Sequence, residues 1–330
     1  MPIATEYHWP YYEVLFVTCV QDTHLFVRDR PGYMKRLWYL LILLPIAALV
    51  VAVVMSSYRP EPKRGAIVSL TPNVTEILFE LGLADSLVGI STYCDYPSGA
   101  KDIQCIGDVG NPNIEMLLSL EPKLIIATNM HNEDVAERIR NAKIKLINLK
   151  IDSFQELYDA IELIGKETDT AGEAVKLIAR LKGDLEVARL RFEKIPNSER
   201  PRVFVEIWDD PLQTVGGPSF INEIITCAGG VNVAGQIDDG YPRVNPEMVV
   251  QWDPDVILMG HGFDGKDAKS QFASRIGWSK IKAVRDGRII DDIDSNWLLR
   301  PGPRLVDGVK ALAERLHPNY PKNSAGETSP

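Results

Sequence analysis

The sequence predicts an α/β fold of two Rossmann-like lobes with mostly parallel sheets, joined by one long α-helix, with a ligand cleft between the lobes. The first observation is a repeat, because the stretch 115–127 matches the stretch 247–259 without a gap. The second is the alternation of short apolar runs with helical patterns, which is typical of parallel sheets covered by helices. The third is a long helical pattern between the two halves of the chain.

Each copy of the repeat predicts a short helix followed by a buried strand. An Asn-Pro pair precedes each copy, Asn111-Pro112 in one and Asn245-Pro246 in the other. We expect the Asn to cap the helix and the Pro to occupy its first turn. An acidic residue and a second Pro then end the helix, and an apolar strand follows. A separation of about 130 residues indicates two similar lobes rather than a short-period solenoid, with two unrelated units of a common type as the alternative.

The long helical pattern at 168–195 predicts a rigid spine between the lobes, ended by Pro196. Such a helix would span about 40 Å. The alternative is a hairpin of two shorter helices broken at Gly183.

Changes of composition divide the chain into further segments. Met34 stands where a signal sequence would begin, so the residues before it are interpreted as an upstream extension. The predicted segments are a disordered extension at 1–33, a signal anchor at 34–57, a linker at 58–64, a first lobe at 65–167, the spine helix at 168–195, a second lobe at 196–318 and a disordered tail at 319–330.

Residues 37–55 contain no charge. As a helix they would be about 28 Å long, close to the hydrocarbon thickness of a bilayer, and Lys35-Arg36 before them fits a positive-inside start. The run predicts a transmembrane signal anchor or a cleaved signal peptide, and therefore an extracytoplasmic protein. No Leu-x-x-Cys follows the run, so a lipid anchor is not expected, and Ser56-Ser57 is a weak cleavage site.

Composition and motifs exclude several function classes. The net charge of −9 argues against a nucleic-acid partner, which requires a basic face. The sequence lacks a P-loop, a nucleophile elbow and a His-Glu-x-x-His motif. His131 and His261 each follow the strand of a repeat copy, so a metal-dependent α/β enzyme is an alternative, with Asp209 or Asp264 as a third ligand.

Candidate ligand-binding residues follow the predicted strands. Open α/β sheets bind ligands at the carboxyl ends of their strands, and aromatic side chains with a few polar partners suit a large, partly apolar ligand. The residues expected there are Tyr93, Asp95, Trp208, Tyr241, Asn296, Trp297 and Arg300.

Four stretches carry a family resemblance. They are 69–79 (SLTPNVTEILF), 93–97 (YCDYP), 113–127 and 300–304 (RPGPR). The chain from 65 to 318 resembles the helical-backbone (class III) substrate-binding proteins of ABC importers, in particular the vitamin B12-binding proteins. Siderophore- and haem-binding proteins share much of the pattern, and either ligand is the alternative to a corrinoid.

The resemblance implies a monomeric, non-enzymatic protein with no catalytic cofactor. It implies that a corrinoid such as vitamin B12 (cobalamin) is bound in the cleft and delivered to a permease dimer with its ATPase. Tyr93, Tyr241 and Trp297 match cleft positions of the family. Glu115 and Glu247 match glutamates that dock on basic residues of the permease. Stabilisation of their own helices is the alternative role for these two residues.

The sequence also departs from the family pattern. Val109 and Thr128 stand where a well-known member has tryptophan, and Ala311 stands where the disulfide partner of Cys227 would be. These departures concern the ligand rather than the fold. Cys94 and Cys105 flank one loop and either form a disulfide or remain buried thiols.

Overall fold

The computed structural model describes residues 65–260 and 268–319. The predicted extension, signal anchor and linker lie outside these ranges, as does the tail from residue 320 onward. Among the described residues, no helix is both long and apolar enough to cross a membrane. The anchor predicted at 37–55 therefore stays a prediction.

The first lobe is built on a four-stranded parallel sheet. Its strands are β1 (Ile67–Ser69), β2 (Leu87–Ile90), β3 (Leu124–Thr128) and β4 (Lys145–Leu149), and its helices are α1 (Pro72–Glu80), α2 (Ile114–Ser119), α3 (Glu133–Asn141) and α4 (Phe154–Glu167). The strands lie in the order β2-β1-β3-β4. Successive side chains of a strand point to opposite faces, so Ile67 packs in the core beneath α1 and α4 whereas Val68 packs beneath α2 and α3.

The second lobe repeats this arrangement. Its strands are β5 (Arg202–Glu206), β6 (Trp208–Asp209), β7 (Leu212–Gln213), β8 (Val231–Asn232), β9 (Val256–Met259) and β10 (Ile289–Ile290). The parallel sheet has the order β8-β5-β9-β10, and β6 and β7 form a separate antiparallel pair. Counted within each lobe, both parallel sheets place the second strand first, then the first, third and fourth. The predicted α/β fold with two similar lobes is therefore confirmed.

The helices of the second lobe follow the same scheme. After the spine they are α6 (Phe220–Cys227), α7 (Pro246–Trp252), α8 (Ala268–Ser274), α9 (Lys282–Asp286), α10 (Ser295–Leu299) and α11 (Leu305–Leu316), while the spine itself is α5 (Ala171–Arg191). The sequence repeat corresponds to equivalent units, because α2 precedes β3 in the first lobe and α7 precedes β9 in the second. Both members of the repeat thus occupy the same place in their lobes.

The helix caps correct one detail of the repeat. The side-chain oxygen of Asn113 caps α2 by accepting the backbone N–H of Met116, and that of Asn245 caps α7 by accepting the backbone N–H of Glu247. The prediction that Asn111 caps the first helix is wrong, because Pro112 lies before that helix. Asn113 and Asn245 are the residues that align when the repeat is extended without a gap.

The acidic residues that end the two helices also share a backbone conformation. Glu121 has a φ of 47° and Asp253 a φ of 43°, and each precedes a proline. A left-handed residue reverses the chain at the end of a helix, and the proline prevents the helix from continuing. The acidic-Pro pair therefore turns each chain from its helix into its buried strand.

The spine α5 is one helix of 21 residues that continues through Gly183, so the hairpin alternative is wrong. It is about 30 Å long and shorter than the predicted 168–195. The structure differs at both ends, because Asp169, with a positive φ of 56°, lies before the helix, and the residues from Phe192 onward no longer belong to it. Residues before Asp169 form α4, a helix of 14 residues that the sequence analysis did not predict.

The spine is fixed to both lobes by apolar contacts. On the first lobe, Gly165 of α4 lies so close to Ala174 that a Cβ at this glycine would be 2.5 Å from the alanine Cβ. On the second lobe, Phe192 is buried at the end of the spine and stacks on His317 with a ring distance of 4.4 Å. The long helix therefore packs against both lobes.

Gly165 of α4 and Gly183 of α5 give opposite expectations for substitution by alanine. Gly165→Ala should lower the free energy of unfolding by about 1–3 kcal/mol, because the added methyl overlaps Ala174. Gly183→Ala should raise it by about 0.5–1 kcal/mol, because this glycine has open space around it within a helix. Urea unfolding monitored by circular dichroism measures both, and a stabilised Gly165→Ala variant would contradict the close packing of α4 on α5.

Candidate functional site

The carboxyl ends of the strands in the two lobes are joined by polar contacts. Arg300, which follows α10, donates from Nη1 to Oδ1 of Asp95, which follows β2, at 2.6 Å. The backbone N–H of Phe154, at the start of α4, donates to Oε2 of Glu223 on α6 at 2.9 Å. These contacts show that the strand ends of one lobe face those of the other, as expected for a cleft between lobes.

The segment 300–304, which we name the strap, runs from the second lobe onto the first. Its prolines separate α10 from α11, and its residues lie against α1. The side-chain amide of Asn73 donates to the carbonyl of Pro301 at 3.3 Å. Gly302 lies so close to α1 that a Cβ there would be 3.4 Å from the Cβ of Asn73 and from Oε2 of Glu76. A residue without a side chain therefore allows the strap to lie on the first lobe.

A buried ion pair fixes the strap in place. Glu76 on α1 is only 2% exposed, and Arg304 binds both of its carboxylate oxygens, at 3.0 Å and 2.5 Å. Nη1 of Arg300 lies 3.9 Å from the same carboxylate. Burial raises the pKa of Glu76, and the two arginines oppose this shift. The guanidinium of Arg304 also lies 4.0 Å from the ring centre of Tyr96.

Two predicted aromatic residues are exposed on opposite lobes. Tyr93 is 64% exposed in the loop after β2, and Trp208 is 54% exposed in β6. The indole N–H of Trp208 donates to the carbonyl of Asp210 at 3.0 Å, which fixes the orientation of its ring. Both rings therefore present large apolar surfaces at the strand ends.

The other predicted residues of the second lobe are more enclosed. Tyr241 is half-buried, and burial raises its pKa to about 12, so that its hydroxyl stays protonated. Trp297 is half-buried in α10 and packs on the core. The side chain of Asn296 is half-buried, and its backbone N–H donates to the capping residue Asp294. The structure thus brings Asp95 and Arg300 into direct contact and places the remaining predicted residues around the strand ends.

Glu115 and Glu247 occupy equivalent exposed positions in the first turns of α2 and α7. Neither carboxylate forms an ion pair within the described parts of the chain. A polar groove of 490 Å³ adjoins Glu115, and its lining includes Asn132, Asp134 and Arg138. Both side chains are therefore available to a partner.

Only some of the residues of the alternative metal site lie within the described residues. His131 is exposed between β3 and α3, whereas His261 and Asp264 lie outside the described residues. Within 65–260 and 268–319, no group of three or more His, Cys, Asp or Glu side chains is placed to hold a metal ion.

Both thiols of the predicted cysteine pair are free. Cys94 is buried and contacts the hydroxyls of Thr75 and Ser91 at 3.0 Å and 3.2 Å, whereas Cys105 is exposed. Cys227 is also free, and burial raises the pKa of its thiol to about 11.

The residues that hold the strap were not predicted as functional. Glu76 and Arg304 are separated by 228 positions along the chain, so no local pattern connects them. The sequence feature that could have identified Glu76 is its position beside the apolar residues of α1, since a charge among apolar side chains requires a partner.

Comparisons with known proteins agree with this architecture. The profile of the family described as periplasmic binding protein matches residues 67–295. An ABC transporter substrate-binding lipoprotein of Bacillus subtilis is 34% identical over 266 residues, which cover 79% of this chain and 82% of the relative. The crystal structure of the periplasmic vitamin B12 binding protein of Vibrio cholerae is 26% identical with a TM-score of 0.63, covering 78% of this chain and 98% of that one. A periplasmic heme-binding protein from Roseiflexus is 26% identical with a TM-score of 0.69, covering 77% and 98%.

The ion pair between Glu76 and Arg304 leads to a prediction about the stability of the protein. Arg304→Met leaves the Glu76 carboxylate buried without its partner, and should lower the free energy of unfolding by about 3–5 kcal/mol. Combining it with Glu76→Leu removes both charges and should recover much of this loss. Urea unfolding of the singly and doubly substituted proteins tests the coupling.

A matched control lies on the surface. Arg315 pairs with Asp292, and both side chains are exposed. Arg315→Met should change the free energy of unfolding by about 1 kcal/mol or less. If Arg304→Met were no more destabilising than this control, the strap would not depend on its ion pair.

Proposed function

The chain belongs to the periplasmic binding protein family, and we propose that it captures a corrinoid of the vitamin B12 type outside the cytoplasm and delivers it to an ABC importer. The role as a substrate-binding protein of an ABC transporter follows from the family and the similar lipoprotein. The identity of the ligand is the proposal. It is a transported ligand and has no catalytic part.

The observation that carries the proposal is the pair of exposed aromatic rings on opposite lobes. Tyr93 and Trp208 stand at the strand ends that face each other, where a flat ring system can contact both. A corrin ring is large, partly apolar and bordered by amide side chains. The similarity to a vitamin B12 binding protein supports the same ligand class.

Haem is a second candidate with its own support. The heme-binding structure has the same identity to this chain as the vitamin B12-binding one and a higher TM-score. A tyrosine can serve as an axial ligand of haem iron, and Tyr93 is exposed at the strand ends. Ferric siderophores remain the third alternative on the same fold.

We also propose that Glu115 and Glu247 dock on the two halves of a permease dimer. They stand at equivalent helix starts in the two lobes and are exposed. The spine and the strap hold the lobes together, so the two carboxylates form a fixed two-point pattern. Complementary basic residues on each half of the permease would meet this pattern.

The segment boundaries complete the proposal. Residues 65–167 and 196–318 would form the lobes around the spine, and a monomer would be held at the outer face of the membrane by a helix at 37–55. The Bacillus relative is a lipoprotein. Here the apolar run is not followed by a Leu-x-x-Cys motif, which favours an anchor made by the helix itself.

The ligand is tested by titrating the purified chain with cyanocobalamin and with haemin. We expect calorimetry to show saturation at one cyanocobalamin molecule per chain. Tyr93→Ala and Trp208→Ala should each weaken binding about tenfold or more, since a stacked aromatic contact contributes about 1–3 kcal/mol. Val187→Ala, at an exposed apolar position of the spine, is the control and should bind normally. Saturation by haemin alone would replace the corrinoid with the second candidate.

Docking is tested with Glu115→Ala combined with Glu247→Ala. Corrinoid affinity should stay within about twofold, whereas association with the reconstituted transporter should fall by tenfold or more, because two complementary charge pairs are lost. The control is Glu173→Ala, which removes an exposed carboxylate from the first turn of the spine. Transporter association that is unchanged in the double variant would leave these glutamates with no role beyond their own helices.

A further inference from the structure

The strand ends that border the cleft carry mostly negative charge. Among the described segments that follow the strands, the acidic side chains are Asp95, Asp102, Asp108, Asp152, Asp210, Asp238, Asp239, Asp291, Asp292 and Asp294, and Asp209 is the last residue of β6. The basic ones are Lys150 and the arginines of the strap. Lys101 and Arg243 lie further along two of these loops, toward the helices that bear Glu115 and Glu247.

Each cation at the strand ends is held by a carboxylate. Lys150 pairs with Asp152 at 3.0 Å. Arg304 is held by both oxygens of Glu76, and Arg300 pairs with Asp95. The group formed by Glu76, Asp95, Arg300 and Arg304 contains two acids and two bases, so its formal charge is zero.

The geometry of the Asp95–Arg300 pair leaves room for a ligand. Asp95 is half exposed, with 52% of its side chain accessible, while 17% of the Arg300 side chain is accessible. The contact uses one guanidinium nitrogen and one carboxylate oxygen. A guanidinium has five N–H donors and a carboxylate has two acceptor oxygens, so both groups retain bonding capacity.

This capacity fits a primary amide better than a carboxylate. The amide carbonyl can accept from Arg300 while the amide N–H donates to Asp95. A ligand carboxylate could accept from Arg300, but it has no proton to offer Asp95 and would bring a like charge beside it. Only 17% of the Arg300 side chain is accessible, so a ligand group that draws Arg300 from Asp95 without donating a hydrogen bond to Asp95 is disfavoured.

We infer that Asp95 is a specificity-determining residue that makes the cleft select ligands bearing neutral amides over ligands bearing carboxylates. The inference rests on the proposed function and names the ligand chemistry within it. Corrinoids of the vitamin B12 type carry amide side chains around the ring. Haem carries two carboxylates, and the ferric complexes of catecholate siderophores are anionic.

The charge state of Asp95 supports this role. Its hydrogen bond with Arg300 lowers the pKa of Asp95. A carboxyl group with a lowered pKa stays ionised through neutral and mildly acidic conditions, and the pair weakens only as the pH falls through that pKa. The amide preference therefore holds over the whole neutral range.

The experiment compares ligands that differ only in whether a carboxylate or an amide is present. The full chain is titrated with cyanocobalamin and with its monocarboxylic acid, in which one ring amide has been hydrolysed, and then with haemin and its diamide, in which both carboxylates have been converted to primary amides. We expect the wild-type protein to prefer the neutral member of the pair that binds by about tenfold or more. In Asp95→Asn this preference should fall by about tenfold, because Arg300 is then available to an anion.

Asp291→Asn is the matched control. It removes the same charge from an exposed aspartate at the strand ends of the other lobe, and should leave the preference unchanged. A change of equal size in both variants would mean that total charge, rather than the Asp95–Arg300 pair, selects the ligand. That result would overturn the inference.

The outcomes separate this inference from the proposed function. Corrinoid binding with no preference between amide and acid would keep the function and overturn the inference. Binding of the haemin diamide over haemin, with no corrinoid binding, would overturn the function and keep the inference. Binding of neither ring system would overturn both. The wild-type comparison decides these cases even if Asp95→Asn were unstable.

Discussion

The buried ion pair between Glu76 and Arg304 is the interaction on which the arrangement of the two lobes depends. The lobes share no sheet, and one apolar cluster continues from the first lobe through the spine into the second. A carboxylate that is only 2% exposed is strongly unfavourable unless a cation accompanies it. The strap supplies that cation from the opposite lobe. The ion pair therefore selects one arrangement of the lobes, because any arrangement that separates Arg304 from Glu76 leaves the Glu76 carboxylate buried without a cation.

The same strap connects the lobe arrangement with ligand chemistry. Arg304 enters the first lobe, and Arg300, four residues earlier, reaches Asp95 at the strand ends. Gly302 permits the close approach that both contacts require. A cation that a ligand could contact is thus held in place by a second cation that is largely buried. Arg300, which pairs with Asp95, and Arg304, which pairs with Glu76, therefore belong to one short segment.

Local sequence patterns predicted the architecture well, because repeated units carry their own boundary signals. The shared strand order of both sheets agrees with the repeat, and even the left-handed turns at Glu121 and Asp253 match. The start of the spine was predicted at 168, close to the observed Ala171, whereas α4 before it was not predicted, and the left-handed residue between the two helices is Asp169. The strap contacts could not be predicted either. Glu76 and Arg304 are far apart in sequence, and only the folded lobes bring them together.

Four of the acidic side chains form two pairs with different physical environments. Glu76 and Asp95 are neutralised by arginines from the other lobe, and they define how the lobes and the ligand fit together. Glu115 and Glu247 remain without an ion-pair partner in the described residues and are stabilised only by the dipoles of their own helices. An unpaired carboxylate in water costs the fold little and keeps its full attraction for a basic surface. A paired carboxylate at the cleft can instead discriminate between neutral and charged ligands. Ion pairing therefore distinguishes the acids proposed for ligand selection from those proposed for docking.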